Sequence, residues 1–490
     1  GNIYVAGHTD TLSPHDDWVI LRLNNSGDSL WTAFYDSPLD GIDTPEFMAV
    51  DDSGYVYVCG DCGASSFDWE MNAVTMKYDS LGNRLWVHDY NGPQSMDDRI
   101  ENFGLDNNGY PVVVGYSEIP DYGKEYLIIK LQPDGDTAWV RTMPTGNGTF
   151  DRLYGVAFDD DNNIYVAGGN SAGGNYDIAI IKYTPGGDTL WMRIYNGGPS
   201  HSDVPYGIGL DDSGYVYVGG YTDNATKDFL AIKYDSDGNF VWDFVYNGAG
   251  NAADNIRDAI VDSDGNVYMI GETTENSQRD ILVTKTDNTG TLAWDFQYDA
   301  GGNANELVFN SKNLLNVDDD GNVYFGGATY YIAPGATNTN ALTFKLCPDG
   351  SLDWYGRYGG PGLDIDHIKA VQLDFEGNCY VTGYSEGLNG NWDLFLLKYA
   401  ADTTGAGCDY VVGDVNGSGS YNGLDITYGV AFFKGGLAPL CADCPPCNTW
   451  NYCGDVNASC SYNGLDITYG VAYFKGGPGP MPCVDCPPNG

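Results

Sequence analysis

One phrase recurs eight times along the 490 residues: a polar turn, an alternating apolar strand and a closing glycine. It reads GNIYVAG ending at Gly7 and GYVYVCG ending at Gly60, and returns at Gly115, Gly168, Gly220, Gly271, Gly327 and Gly383, at intervals of 51–56 residues. A second phrase follows each copy and closes on Trp31, Trp86, Trp139, Trp191, Trp242, Trp294 and Trp354; its eighth copy, DLFLLKYA, stops at Ala400 without the tryptophan. A fixed period of this length restricts a chain to a solenoid, a propeller or an array. Each unit is one supersecondary block that can bury its apolar face only against copies of itself.

Every unit holds four short runs with strand chemistry, here named A to D after EFMAVD, YVYVCG, AVTMKYD and LWVHDY. Asp- and Gly-containing turns such as DDSG at 51–54 join A to B, and DSLGN at 79–83 joins C to D. Both are hairpin signals, whereas the B–C and D–A connections are longer and polar. Four antiparallel strands per unit predict an all-β fold, a β-propeller over residues 1–400. Its ends are incomplete: residues 1–36 supply B, C and D, and residues 367–400 supply A, B and C. A ring of eight has two three-stranded blades. A ring of seven uses the strand near Trp31 to complete the last blade. Either closure leaves open strand edges, which invite strand addition.

Two positions repeat in register. Strand C carries Arg22, Lys77, Lys130, Lys182, Lys233, Lys285, Lys345 and Lys398, each five residues after Asp17, Asn72, Glu125, Asp177, Asp228, Asp280, Asn340 and Asp393. A charge present in every blade reads as architecture, a charged link between blades. Counting back from the end of strand A gives Asp43, Asp98, Asp151, Asp203, Asp254, Asn310 and Asp366. These read as loop caps at the mouth of the inner strands, with a cation site on the axis as the alternative.

Composition narrows function. The chain holds 68 acidic against 22 basic residues, a formal net charge of −46. Such a chain has no electrostatic means of holding nucleic acid or an anionic membrane. The 42 % hydrophobic and 14 % aromatic content argues against disorder. No apolar run reaches the roughly 18 residues of a membrane span. The chain begins at Gly1 and reads as a mature or trimmed form.

Composition shifts after residue 400. Residues 401–407 read as a linker, and 408–490 hold 8 of the 12 cysteines and a duplication. GDVNGSGSYNGLDITYGVAFFKGG begins at Gly413 and GDVNASCSYNGLDITYGVAYFKGG at Gly454. Each copy fits an EF-hand-type calcium loop leading into a helix, since alternating oxygen ligands wrap a hard cation. The expected ligands are Asp414, Asn416, Ser418, the Ser420 carbonyl, Asn422 and Asp425, then Asp455, Asn457, Ser459, the Ser461 carbonyl, Asn463 and Asp466. With two carboxylates per loop the affinity is modest, suited to millimolar calcium.

Over residues 413–477 this tail resembles the dockerin modules of bacterial extracellular proteins, a resemblance that implies calcium-dependent folding and docking into cohesin-like domains. Where that family usually carries small hydroxyl contact residues, this chain has Gly423-Leu424 and Gly464-Leu465. Residues 1–400 resemble the bacterial extracellular β-propeller repeat family often called seven-bladed, through D-x-x-G-N-x-Y-V-x-G and the D-x-x-x-x-K of strand C. That resemblance implies a secreted or surface-exposed protein, mostly without assigned catalysis.

The tail cysteines, including the CxxC pairs Cys441/Cys444 and Cys483/Cys486, suit disulfides outside the cytoplasm or, as the alternative, zinc. In the propeller, Cys347 and Cys379 lie in adjacent units and could bridge them. A G-x-S-x-G match at 169–173 enters a Gly-rich loop and lacks the strand–turn–helix of a nucleophile elbow. Asn24, Asn147 and Asn224 lie in glycosylation triplets, and Ser29, Ser80, Thr137 and Thr189 lie in short O-glycosylation-like phrases. The expectation is an extracellular structural or adhesive protein without enzymatic activity, a fibre subunit joined through open propeller edges and the calcium-dependent tail. Its partners would be copies of itself or another surface protein, cohesin-like or glycan-bearing. The alternative is a polysaccharide-binding or -degrading protein, with Trp18, Trp69 and Trp392 stacking on sugars.

Overall fold

The structure, a computed structural model, describes residues 2–401 except 10–16, 39–40, 64–69, 94, 121–122, 144–148, 172–173, 225, 249–252, 276–277, 302–303, 310–311, 334–335, 360–364 and 387–391. The expected tail domain, with its twelve calcium ligands and eight cysteines, lies outside the described residues.

Eight antiparallel sheets follow one another along the chain. Blade 1 has strands B (Ile3–Thr9), C (Asp17–Leu23) and D (Ser29–Tyr35). Blade 2 is complete: A (Asp43–Val50), B (Val56–Gly63), C (Met71–Tyr78) and D (Arg84–Tyr90). Blades 3 to 6 repeat this order. Blade 7 splits strand A into Ala304–Leu307 and Leu315–Val317, both paired with B (Val323–Ala333). Blade 8 has A (Asp366–Leu373), B (Cys379–Glu386) and C (Trp392–Tyr399). The strand near Trp31 pairs with strand C of its own blade, Arg22 opposite Trp31, which excludes the seven-blade closure. The ends of the ring meet: a Cβ on Gly7 in blade 1 would stand 3.3 Å from Leu394 Cδ1 in blade 8.

The core lies between blades. Tyr165, Ala167, Ile178 and Ile180 of blade 4 pack on Val216, Val218, Leu230 and Ile232 of blade 5, and the pattern recurs around the ring. In blade 2, strands B and C are therefore buried on both faces, unlike a half-exposed sheet. Each fully buried Val, Leu or Ile contributes roughly 1.5–3 kcal/mol.

Turn chemistry absorbs much of the acidity. In blade 5, Asp211 Oδ1 accepts the Ser213 and Tyr215 amides at 2.9 Å, and Oδ2 accepts the Tyr217 hydroxyl at 2.8 Å. Gly214 closes the turn at φ 78°, a conformation that glycine alone adopts without strain.

The repeated tryptophan joins blade to blade. Trp31, Trp86, Trp139, Trp191, Trp242 and Trp294 each donate Nε1–H to a carbonyl in the next blade's C–D turn, at 2.9–3.2 Å. The strand C cations share this work only in part. Arg22, Lys77 and Lys233 reach the same carbonyls, on Ser80, Pro133 and Asn288. Lys130, Lys182 and Lys345 instead pair with Asp106, Asp159 and Asp353 of their own blades. The acid five residues earlier sits at the opposite end of the strand, so the two positions form separate layers.

Candidate functional site

The axis is lined by residues that a β-bulge turns inward. In six A strands the register slips by one, leaving Glu46, Glu101, Tyr154, Tyr206, Arg257 and Lys369 without a cross-strand partner. A bulge re-aims one side chain and bends its strand. Here it brings together residues of neighbouring strands and blades. Tyr154 and Tyr206 stack at 6.4 Å with an interplanar angle of 16°. Arg257 pairs with Glu272 at 3.3 Å, and Arg279 reaches the same carboxylate at 3.6 Å.

Blade 7 closes this space. Its split strand A places residues 308–309 and 312–314 toward the axis. Asp258 Oδ2 accepts the Leu314 and Leu315 amides at 2.8 and 3.2 Å, and Glu272 Oε1 accepts the Val308 amide at 2.9 Å. Lys312 Nζ crosses to blade 3 and meets Glu101 Oε2 at 2.9 Å and the Glu101 carbonyl. It also stands 5.5 Å from the Phe47 ring and 5.7 Å from the Tyr154 ring. Lys312 and Arg152 hold the Glu101 carboxyl below the usual glutamate range against the opposing effect of burial. Asp258 forms no ion pair among the described residues, and burial outweighs its backbone hydrogen bonds and the more distant Lys312 to raise its carboxyl to about 6. In blade 8, His367 stacks on Phe309 and shares a 2.7 Å hydrogen bond with the Tyr384 hydroxyl. Burial, reinforced by Lys369, lowers its imidazole to about 4.

The predicted ring of caps is present. Asp43, Asp98, Asp203 and Asp254 accept the amides of Ser37, Gly92, Gly197 and Gly248 at 2.6–2.7 Å, six residues earlier. Asn310 is not the blade 7 member: it lies outside the described residues, and Glu306 takes the position. Glu306 stands opposite Thr329 as Asp203 stands opposite Thr222. Counting back from the end of strand A fails there because four residues are inserted. Counting forward from the end of strand D succeeds: Asp43, Asp98, Asp203, Asp254 and Glu306 each lie eight residues after Tyr35, Tyr90, Tyr195, Tyr246 and Tyr298.

Other expected sites change. Trp18 is fully buried, edge-on to Tyr35, and cannot stack on a sugar. Trp392 is 54 % exposed, and Trp69 lies outside the described residues. Cys347 and Cys379 are free thiols and form no bridge. Burial raises the Cys379 thiol to about 12, so it is unreactive at neutral pH. Ser171 donates its hydroxyl and amide to the capping Asp151 at 2.9 and 2.6 Å, a turn role and not that of a nucleophile. Among the described residues no helix is long and apolar enough to cross a membrane.

The axial site is thus a set of paired charges around an inserted segment. Its contacts tie blade 7 to blade 3 through Lys312 and Glu101 and to blade 6 through Leu314 and Asp258. At the rim, strand C of blade 8 has no strand beyond it among the described residues.

Residues 190–225 match the family model described as β-propeller repeat. A stretch of 183 residues is 27 % identical to the regulatory protein FlaEY of Caulobacter vibrioides, covering 31 % of this chain and 18 % of that protein. Among solved structures, the chain is similar to the polysaccharide lyase Uly1 at 11 % identity and a TM-score of 0.43, covering 82 % of this chain and 98 % of that one. It is also similar to the C-terminal domain of Pseudomonas aeruginosa PilY1 at 12 % identity and a TM-score of 0.37, covering 80 % and 92 %.

Proposed function

We propose that this chain is an extracellular structural or adhesive subunit without enzymatic activity. It assembles through the outer edge of blade 8 and through a calcium-dependent, dockerin-like tail over residues 408–490. The observation that supports this reading is the state of strand C in blade 8. The equivalent strand of blade 2, Met71–Tyr78, is buried along its whole length. In blade 8, Trp392 and Leu394 are 54 % and 45 % exposed, and the strand carries an unused backbone edge among the described residues. An edge of this kind, with apolar side chains beside it, is a template for an incoming strand. At a net charge of −46, subunits repel one another, so close assembly needs calcium, salt or glycan to offset the charge.

A second reading rests on Trp392, which stands edge-on to Tyr384 at 5.0 Å and offers an exposed aromatic platform. That chemistry suits a polysaccharide, with the tail as a docking plug for a cohesin-like partner.

Light scattering and electron microscopy of the full chain, with calcium and with chelator, test the first reading. Calcium-dependent oligomers weakened by Leu394→Lys are expected. Monomers in both conditions would sink it. Binding in a glycan screen that Trp392→Ala abolishes would favour the second.

A further inference from the structure

The junction between blades carries the same three positions around the ring: the residue five before the strand C cation, the residue after strand D, and the cap of the next blade. Between blades 4 and 5 these are Asp177, Asn196 and Asp203. There the Asn196 side chain hydrogen-bonds the Asp177 carboxylate, so an amide stands among the acids. Between blades 6 and 7 the same positions hold Asp280, Asp299 and Glu306, and one oxygen from each lies within 4.8 Å of the others. The junction of blades 1 and 2 repeats the substitution with Asp17, Asp36 and Asp43.

A carboxylate in place of the amide removes a donor and adds a charge. Glu306 is 0 % exposed, and its Oε2 has no hydrogen-bond partner among the described residues. The carboxyl accepts the Thr329 hydroxyl at 3.4 Å and the Ala300 amide, six residues earlier as in the other caps. Asp280 Oδ2 is held by Gln297 at 2.6 Å and Asp299 Oδ1 by the Gly301 amide at 2.6 Å, which orients both acids. Burial and the two neighbouring carboxylates push the Glu306 carboxyl up to about 7. A buried oxygen facing two further carboxylates needs a cation or a proton.

We infer that Asp280, Asp299 and Glu306 form a calcium site that pins blade 6 to blade 7. Three hard oxygens spread over at most 4.8 Å suit the roughly 2.3–2.6 Å bonds of calcium. Asp299 is exposed, which leaves one side open for water ligands. This site is separate from the tail loops and from the assembly reading above.

The test uses the full chain carrying Asp414→Ala and Asp455→Ala, which silence the two expected tail loops. Calcium titration by calorimetry, with terbium luminescence as a second readout, should still detect one equivalent. Asp299→Asn should remove it. That variant places an amide between two acids, as Asn196 stands between Asp177 and Asp203 at the junction of blades 4 and 5, and circular dichroism checks that it folds. Two outcomes overturn the inference: no uptake at millimolar calcium, or unchanged stoichiometry in Asp299→Asn. Thermal melts separate the proton alternative. Stabilisation by calcium at pH 8 that Asp299→Asn removes supports the cation. A calcium-blind chain that is more stable at pH 5 than at pH 8 assigns the site to a proton and also overturns it.

Discussion

Trp86 Nε1 donates to the carbonyl of Pro133 at 3.1 Å, across the boundary between blades 2 and 3. The bond joins the last strand of one blade to the C–D turn of the next. Trp86→Phe keeps the ring and loses the bond, so we expect a cost of about 1 kcal/mol. Trp86→Ala also empties the space and should cost about 3–5 kcal/mol. Urea denaturation followed by fluorescence measures both, and a Trp86→Phe variant as stable as wild type would show that the bond contributes nothing.

The glycine under each tryptophan gives a sharper contrast. Gly135 has φ 93°, and a Cβ there would lie 2.6 Å from the Trp86 ring, whereas Gly27, at φ 83°, has nothing within 4 Å. Gly27→Ala should cost about 1 kcal/mol from backbone strain alone. Gly135→Ala should cost clearly more, because it also displaces the indole. Similar midpoints for the two variants would contradict the packing role.

Lys312→Met keeps the aliphatic stem beside Phe47 and Tyr154 but withdraws the cation from Glu101. A loss of about 1–3 kcal/mol is expected at pH 7, since Arg152 still pairs with Glu101 at 3.2 Å. Glu101 is depressed in the fold, so its contribution is present above the ordinary glutamate value of 4.5 and fades as pH falls below it. The gap between wild type and Lys312→Met should therefore narrow at low pH. A gap that is constant from pH 7 to pH 3 would refute the pairing.

His367 works in a different window. Its imidazole is lowered to about 4 from an ordinary 6.5, so the fold favours the neutral ring. That stability is present above pH 6.5 and is lost as pH falls toward 4, amounting to about 3 kcal/mol. His367→Phe retains a ring against Phe309 and cannot be protonated. The variant should gain on wild type by about that amount between pH 7.5 and pH 4, read from paired denaturation curves.

Most of the architecture was legible because it is local and repeated. Alternation, hairpin turns at fixed spacing and the closing glycine are written within each unit, and eight copies leave little ambiguity. The capping acids were legible for the same reason, since Asp203 and the Gly197 amide are six residues apart. Glu306 was missed because an insertion shifts one counting direction and not the other. Trp18 was misread as exposed because an aromatic at the start of strand C looks the same whether strand D covers it or not. The link read into the strand C cations held only in part, because Lys130 finds Asp106 in its own blade while Lys77 finds Pro133 in the next.

The axial chemistry was not legible at all. Lys312 and Glu101 are 211 residues apart, and neither occupies a repeated residue type. The bulged position holds Glu, Glu, Tyr, Tyr, Arg and Lys in six different blades, so no periodic signal marks it. By itself the sequence determined the blade, its turns, its caps and the number of copies, because those depend on contacts within about 50 residues. The tertiary structure alone decided that the ring closes at eight and that Lys312 crosses the axis to Glu101. Those outcomes depend on curvature accumulated over many blades, which brings together side chains that no local spacing relates.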